Sequence, residues 1–105
     1  MVERKHVEGE KKGDILIYAL STCGWCRKTK EHLKEMGLAY DYIDVDLLDP
    51  PESDEVMKTV RKHNERGSFP TIVINNEHCV IGYDIDRVKE LIGDGSGETG
   101  DGSGE

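Results

Sequence analysis

Two cysteines three residues apart, in Cys23-Gly24-Trp25-Cys26, are the part of this sequence best suited to chemistry. The run before them, Asp14 to Leu20, is almost wholly apolar and reads as a strand buried on both faces. After them, Leu33 and Met36 recur at helical spacing among Lys and Glu, and Gly37 is a natural stop. Cys23 therefore falls between a strand and the first turn of a helix. Unpaired backbone N–H groups and the positive end of the helix dipole gather there, and both favour a thiolate. The thiolate is the nucleophile of thiol–disulfide exchange. Cys26, one helical turn on, is close enough to attack a mixed disulfide held on Cys23, which gives an attacking and a resolving thiol. Arg27 adds positive charge beside the pair.

A C-x-x-C pair also occurs in zinc sites, which need two further ligands. The sequence has no second C-x-x-C and no H-x3-5-H. His32 and His63 fall on different predicted helices, and His78 and Cys79 fall in a distant hairpin. A metal site is not expected. Two merely packing cysteines are also a poor reading, because Gly24 opens the backbone to approach and Trp25 reads as an exposed aromatic beside a thiol.

The elements that must position this pair follow from pattern. Tyr40 to Val45 reads as a second strand. Asp49-Pro50-Pro51 breaks the chain, and Glu52, Asp54 and Glu55 favour a helix N-terminus. That helix places Val56, Met57 and Val60 on one side and ends by Gly67. Thr71 to Ile74 is a β-branched strand, and Asn75-Asn76-Glu77 turns it into a short strand at His78 to Ile81. Asp84 caps a last helix carrying Ile85, Val88, Leu91 and Ile92. The order is β-α-β-α-β-β-α, an α/β fold. Its first two strands are parallel through a right-handed crossover, and its last two form an antiparallel hairpin. A mixed four-stranded sheet flanked by three helices is expected over residues 14–92. Residues 1–13 read as a loose arm. Residues 93–105, a Gly/Ser/acidic repeat, read as a disordered tail.

With 105 residues, 35% apolar and 34% charged, the chain allows one domain. Its net charge of −8 disfavours nucleic acid and anionic membrane as partners. Half of that charge lies in the tail, on Asp94, Glu98, Asp101 and Glu105. No apolar run suggests a membrane span or a signal peptide. Three cysteines, two of them paired by spacing, suit a reducing compartment, and cytoplasmic localisation is expected.

Ser68-Phe69-Pro70-Thr71 places a proline at the opening of an apolar strand, where it cannot donate to the ladder. Together with the strand–C-x-x-C–helix and the Gly82-Tyr83-Asp84 turn, in this order and spacing, it makes the chain resemble the glutaredoxin-like branch of the thioredoxin superfamily. The resemblance spans about Asp14 to Ile92. It implies a thioredoxin-like fold and a thiol–disulfide oxidoreductase using Cys23 as nucleophile and Cys26 as resolving thiol. It also implies a cis proline at Pro70 opposite Cys23. The substrate, a protein or small-thiol disulfide, would lie against Trp25, Arg27, Phe69, Pro70, Gly82, Tyr83 and Asp84. The backbone at Phe69 would pair with it as in strand addition.

No tightly bound cofactor is expected, and the protein is expected to act as a monomer. The reductant implied is glutathione, another small thiol, or a thioredoxin reductase. The chain has Leu20 where many glutaredoxins have lysine, Gly24-Trp25 for Pro-Tyr, Ile81-Gly82 for Gly-Gly, and Ile85 after Asp84. The turn is similar also to redoxins that donate electrons to ribonucleotide reductase. Gly24 brings in an alternative, a carrier of a [2Fe–2S] cluster bridged between two chains.

Other residues have plainer readings. Cys79 reads as a buried small hydrophobe. Arg61, Lys62, His63 and Arg66 form a basic cluster that complements a helix dipole or receives an acidic substrate group. Asp44, Asp46 and Asp49 lack the loop glycine and bidentate glutamate of a calcium site and read as solubilising strand-end charges.

Overall fold

The computed structural model describes residues 4–92, so the expected tail from residue 93 lies outside the described residues. Strands β1 (Lys5–Val7), β2 (Ile15–Ala19), β3 (Tyr40–Asp44), β4 (Thr71–Ile74) and β5 (His78–Ile81) form one sheet in the order β1-β3-β2-β4-β5. Helices α1 (Gly24–Glu35), α2 (Pro50–His63) and α3 (Ile85–Ile92) flank it. A short 3-10 turn, Val45–Leu47, follows β3.

All five residues of β2 are buried, as a central strand covered on both faces requires. Its alternation splits the core in two. Ile15, Ile17 and Ala19 pack with Cys26 and Leu33 of α1 and with Ile85, Val88 and Ile92 of α3. Leu16 and Tyr18 pack with Val56 and Val60 of α2. Phe69 touches both cores.

β2 and β3 run parallel, and β2–β4 and β4–β5 run antiparallel. Asn75 and Asn76 sit at φ 55° and 60°, the left-handed pair of a tight hairpin turn. Asp84 accepts the Arg87 N–H at 3.2 Å and caps α3, as expected.

The sheet has a fifth strand where four were expected. Lys5–Val7, read as part of a loose arm, pairs antiparallel with β3. Val7 packs against the core, and ion pairs add to the backbone ladder. Arg4 reaches Asp41 at 3.0 Å and Asp14 at 3.1 Å, and His6 reaches Asp41 at 2.6 Å. The hydrogen bond to Asp41 raises the His6 pKa above its ordinary value, against a smaller opposing effect of burial. A three-residue strand that half-buries only Val7 leaves no apolar alternation to read.

Cys79 also departs from expectation, being only partly buried. It pairs with Val73 at the sheet edge, on the face that α2 covers. β5 lies past the reach of that single helix, and Ile81 on the same side is likewise exposed. What burial there is pushes the Cys79 thiol up.

Candidate active site

Cys23 is the N-cap of α1, with extended backbone at φ −84° and ψ 119°. Its N–H donates to the Leu20 carbonyl at 3.1 Å, and its carbonyl accepts the Arg27 N–H at 3.1 Å. The orphan N–H of Cys26 in the first helical turn points at the Cys23 sulfur and donates to it over 3.2 Å. The two thiols differ sharply in setting. Cys23 is partly exposed, whereas Cys26 has 0% exposure and belongs to the core. Burial first, then the hydrogen bond to Cys23, pushes the Cys26 thiol up to about 12. A backbone hydrogen bond at Leu20 and the charge of Lys30 work weakly the other way. Lys30, one turn further along α1, is held by Asp44 at 3.0 Å and lies 4.0 Å from the centre of the Tyr42 ring.

Beside the pair runs a groove of about 360 Å³, lined by Trp25, Phe69, Pro70, Gly82 and Tyr83. The Phe69–Pro70 peptide is cis and Pro70 is buried. The Gly82 N–H donates to the Pro70 carbonyl at 2.9 Å, which ties the turn after β5 to the start of β4. Gly82 has φ +83°, a conformation open to glycine at little strain. Trp25 (57% exposed) and Tyr83 (40% exposed) form one wall, with ring centroids 5.6 Å apart and planes tilted by 35°. His32 Nδ1 lies 3.0 Å from the Tyr83 hydroxyl, and Lys28 Nζ sits 5.3 Å from the centre of the Trp25 ring.

Five of the residues singled out in the sequence thus come together in this groove, next to Cys23 and Cys26. Arg27 and Asp84 do not line it. Arg27 is exposed on the first turn of α1, and Asp84 is occupied in capping α3. The basic residues Arg61, Lys62 and His63 close the last turn of α2, where they complement the dipole.

Two features of the site were missed in the sequence. Asn64, 3% exposed at the end of α2, donates to Ser68 Oγ and Thr71 Oγ1, both at 3.0 Å, and so shapes the loop carrying Phe69 and Pro70. Asp46, read as a solubilising charge, accepts both the N–H and the hydroxyl of Ser21, at 2.8 and 2.5 Å. An asparagine four residues after a helical valine carried no local signal. For Asp46, the parallel pairing of β2 with β3 was the available clue.

A partly exposed thiol at a helix N-terminus, a buried thiol behind it, and an aromatic groove alongside can together perform disulfide exchange. The glutaredoxin family model matches residues 15–79. Among solved structures, a glutaredoxin from Methanosarcina mazei is 39% identical, with a TM-score of 0.80 over 88% of this chain and 89% of that one. Methanoredoxin from Methanosarcina acetivorans is also 39% identical, with a TM-score of 0.77 over 81% of this chain and 90% of that one. A glutaredoxin-like 8.6 kDa protein of the Clostridium pasteurianum rubredoxin operon is 33% identical over 78 residues, covering 74% of this chain and 96% of its own. The matched segment carries Cys23, Cys26 and Pro70, and the chain belongs to the glutaredoxin family, thiol–disulfide oxidoreductases of thioredoxin-like fold.

Proposed function

We propose that the protein reduces disulfides by a dithiol mechanism. Cys23, as thiolate, attacks one sulfur of a substrate disulfide; the S–S bond breaks and the other sulfur leaves as a thiolate. Cys26 then gives its proton to the thiolate that has left and attacks the Cys23 sulfur of the mixed disulfide. This releases the second substrate thiol and forms the Cys23–Cys26 disulfide. Two electrons have passed to substrate, and an external thiol or a reductase returns them.

The observation that carries this reading is the asymmetry of the pair. The sulfur reachable from outside receives an N–H, and the sulfur behind it is sealed in the core. Burial keeps the Cys26 thiol protonated in the free dithiol. The substrate lies along the groove lined by Trp25, Phe69, Pro70, Gly82 and Tyr83. The protein acts as a monomer in the cytoplasm, where thiols stay reduced. No described helix is long and apolar enough to cross a membrane.

The test is a set of single substitutions assayed with a peptide disulfide. Cys23→Ser should abolish reduction, and Cys26→Ser should accumulate the mixed disulfide, seen by mass spectrometry. Full activity in Cys23→Ser would overturn the mechanism. Offering the oxidised protein glutathione, other small thiols and thioredoxin reductase separately, then counting free thiols, assigns the reductant.

A cluster-carrier reading draws support from one observation. A Cβ added at Gly24 meets nothing within 4 Å, so Cys23 can be approached from that side by an external group. Anaerobic reconstitution with iron and sulfide tests it, and a colourless monomer would exclude it.

A further inference from the structure

β2 and β3 pair in parallel with a constant offset, Leu16 with Asp41 through to Ala19 with Asp44. The strands end there, yet the same offset joins Ser21 to Asp46 two residues later. The Ser21 N–H donates to Asp46 Oδ1 at 2.8 Å, and the Ser21 hydroxyl donates to Asp46 Oδ2 at 2.5 Å. A side chain therefore continues the ladder where backbone pairing stops. It acts on the short loop that delivers both sulfurs. Leu20, just before Ser21, accepts the Cys23 N–H at 3.1 Å and makes the backbone hydrogen bond to the Cys26 side chain. Cys23 is two residues beyond Ser21, with its side chain packed at the edge of the core and its backbone hydrogen-bonded only within this loop and the first turn of α1 among the described residues.

Asp46 is exposed, and among the described residues its side chain hydrogen-bonds to Ser21. Those two hydrogen bonds lower its pKa, with burial opposing and Lys30 assisting. The acceptor form thus persists at neutral and mildly acidic pH. An exposed carboxylate adds little to global stability through surface interactions, so a bidentate grip on this loop calls for another role.

We infer that Asp46 is a positioning residue for the nucleophile: it fixes the loop of Leu20, Ser21 and Thr22 so that Cys23 is presented at the helix terminus in attacking geometry. This rests on Cys23 being the nucleophile. Small displacements of an attacking group carry large kinetic penalties, so losing the clamp is expected to slow attack on the order of tenfold. The groove is built from other residues, so KM should move little.

The test compares wild type, Asp46→Ala, Asp46→Asn, Ser21→Ala and the double alanine variant at a temperature where all are folded. Circular dichroism checks the fold, and Cys23→Ser is the control for the underlying mechanism. Asp46→Ala and Ser21→Ala should lower kcat for a peptide disulfide with KM near wild type, and should shift the reduction potential of the Cys23/Cys26 pair. Asp46→Asn should recover most of the rate, because its amide can accept the Ser21 N–H and donate to the Ser21 oxygen. The double variant should be no slower than Asp46→Ala, since each residue acts through the other. Wild-type kcat and potential in folded Asp46→Ala would overturn the inference while leaving Cys23 as nucleophile. An Asp46→Asn variant as slow as Asp46→Ala would overturn it too, because charge would then matter instead of the clamp. Full activity in Cys23→Ser would instead remove the mechanism on which it rests.

Discussion

The backbone N–H of Cys26 points at the sulfur of Cys23 across 3.2 Å, while the sulfur of Cys26 itself is sealed in the core. One residue thus gives its neighbour a donor and withholds its own thiol from water. The consequence can be measured at alkaline pH. A thiol in an unfolded chain titrates at about 8.5, whereas burial pushes Cys26 up to about 12 in the folded protein. The folded state therefore holds this proton more tightly. The stability so gained is fully present below about pH 8.5 and is lost as pH rises through about 12. The urea midpoint of the reduced protein should fall across that window, and fall less in Cys26→Ala. Burial also pushes up the hydroxyls of Tyr18 and Tyr40, which add the same slope to both proteins. The readout is the difference, and identical slopes would contradict the assignment.

Trp25 and Tyr83 stack 5.6 Å apart over the groove, one from α1 and one from the turn after β5. Aromatic walls of this kind supply contact area to a bound chain more than they assist reaction at sulfur. Trp25→Ala should therefore raise KM for a peptide disulfide about five- to tenfold, with kcat within about twofold of wild type. Tyr83→Phe keeps the ring and loses the His32 partner, so its effect should be smaller. Trp25 is the sole tryptophan, which makes its fluorescence a direct report of groove occupancy. A fall in kcat at constant KM would place Trp25 at the reacting sulfur instead.

Much of this fold was legible because its signals are local. The apolar run before Cys23 is β2, the Asn75-Asn76 pair is the hairpin turn, and Asp84 is the α3 cap. Cys23 and Cys26 declared themselves by spacing, and Phe69, Pro70 and Gly82 by their place in a family pattern. What escaped was held by contacts between distant residues. β1 is reinforced by Arg4 and His6 meeting Asp41, more than thirty residues away, and three residues cannot show a period. Asn64 works through hydroxyls reached only after the chain turns back at Gly67. Asp46 looked like a solubilising charge because the residue it grips lies on the other side of a helix and a strand.

Two glycines beside the site should respond differently to alanine. A Cβ meets nothing within 4 Å at either Gly24 or Gly82, so neither substitution creates a clash. Only Gly82 has a left-handed backbone, at φ +83°. Gly82→Ala should therefore cost about 1–2 kcal/mol from backbone strain alone. Gly24→Ala, at the first position of α1, should be neutral or stabilising by up to about 1 kcal/mol. Urea denaturation of both variants checks this, and equal effects would mean that backbone conformation is not what selects glycine at residue 82.

Asn64 offers the most specific test of how the groove is held. Its amide nitrogen meets Ser68 Oγ and Thr71 Oγ1 at 3.0 Å and the Ser68 carbonyl at 3.3 Å, while its Oδ1 accepts the Arg66 N–H at 3.2 Å. All of this happens at 3% exposure, where water cannot replace a lost partner. Asn64→Ala should cost about 1–3 kcal/mol, the range for stranding buried polar partners. Asn64→Asp preserves shape but turns the donor end into an acceptor facing the Ser68 carbonyl and two hydroxyls. It should be at least as destabilising as alanine near neutral pH. Thr71 Oγ1 also donates to the Ser68 carbonyl at 2.7 Å, so Asn64→Ala and Thr71→Val share partners and their costs should not add. Because the loop carries Phe69 and Pro70, the same variants should raise KM for a peptide disulfide while the reactivity of Cys23 toward a small alkylating agent stays near wild type. An Asn64→Asp variant as stable as wild type would show that donation from this side chain is not what holds the loop.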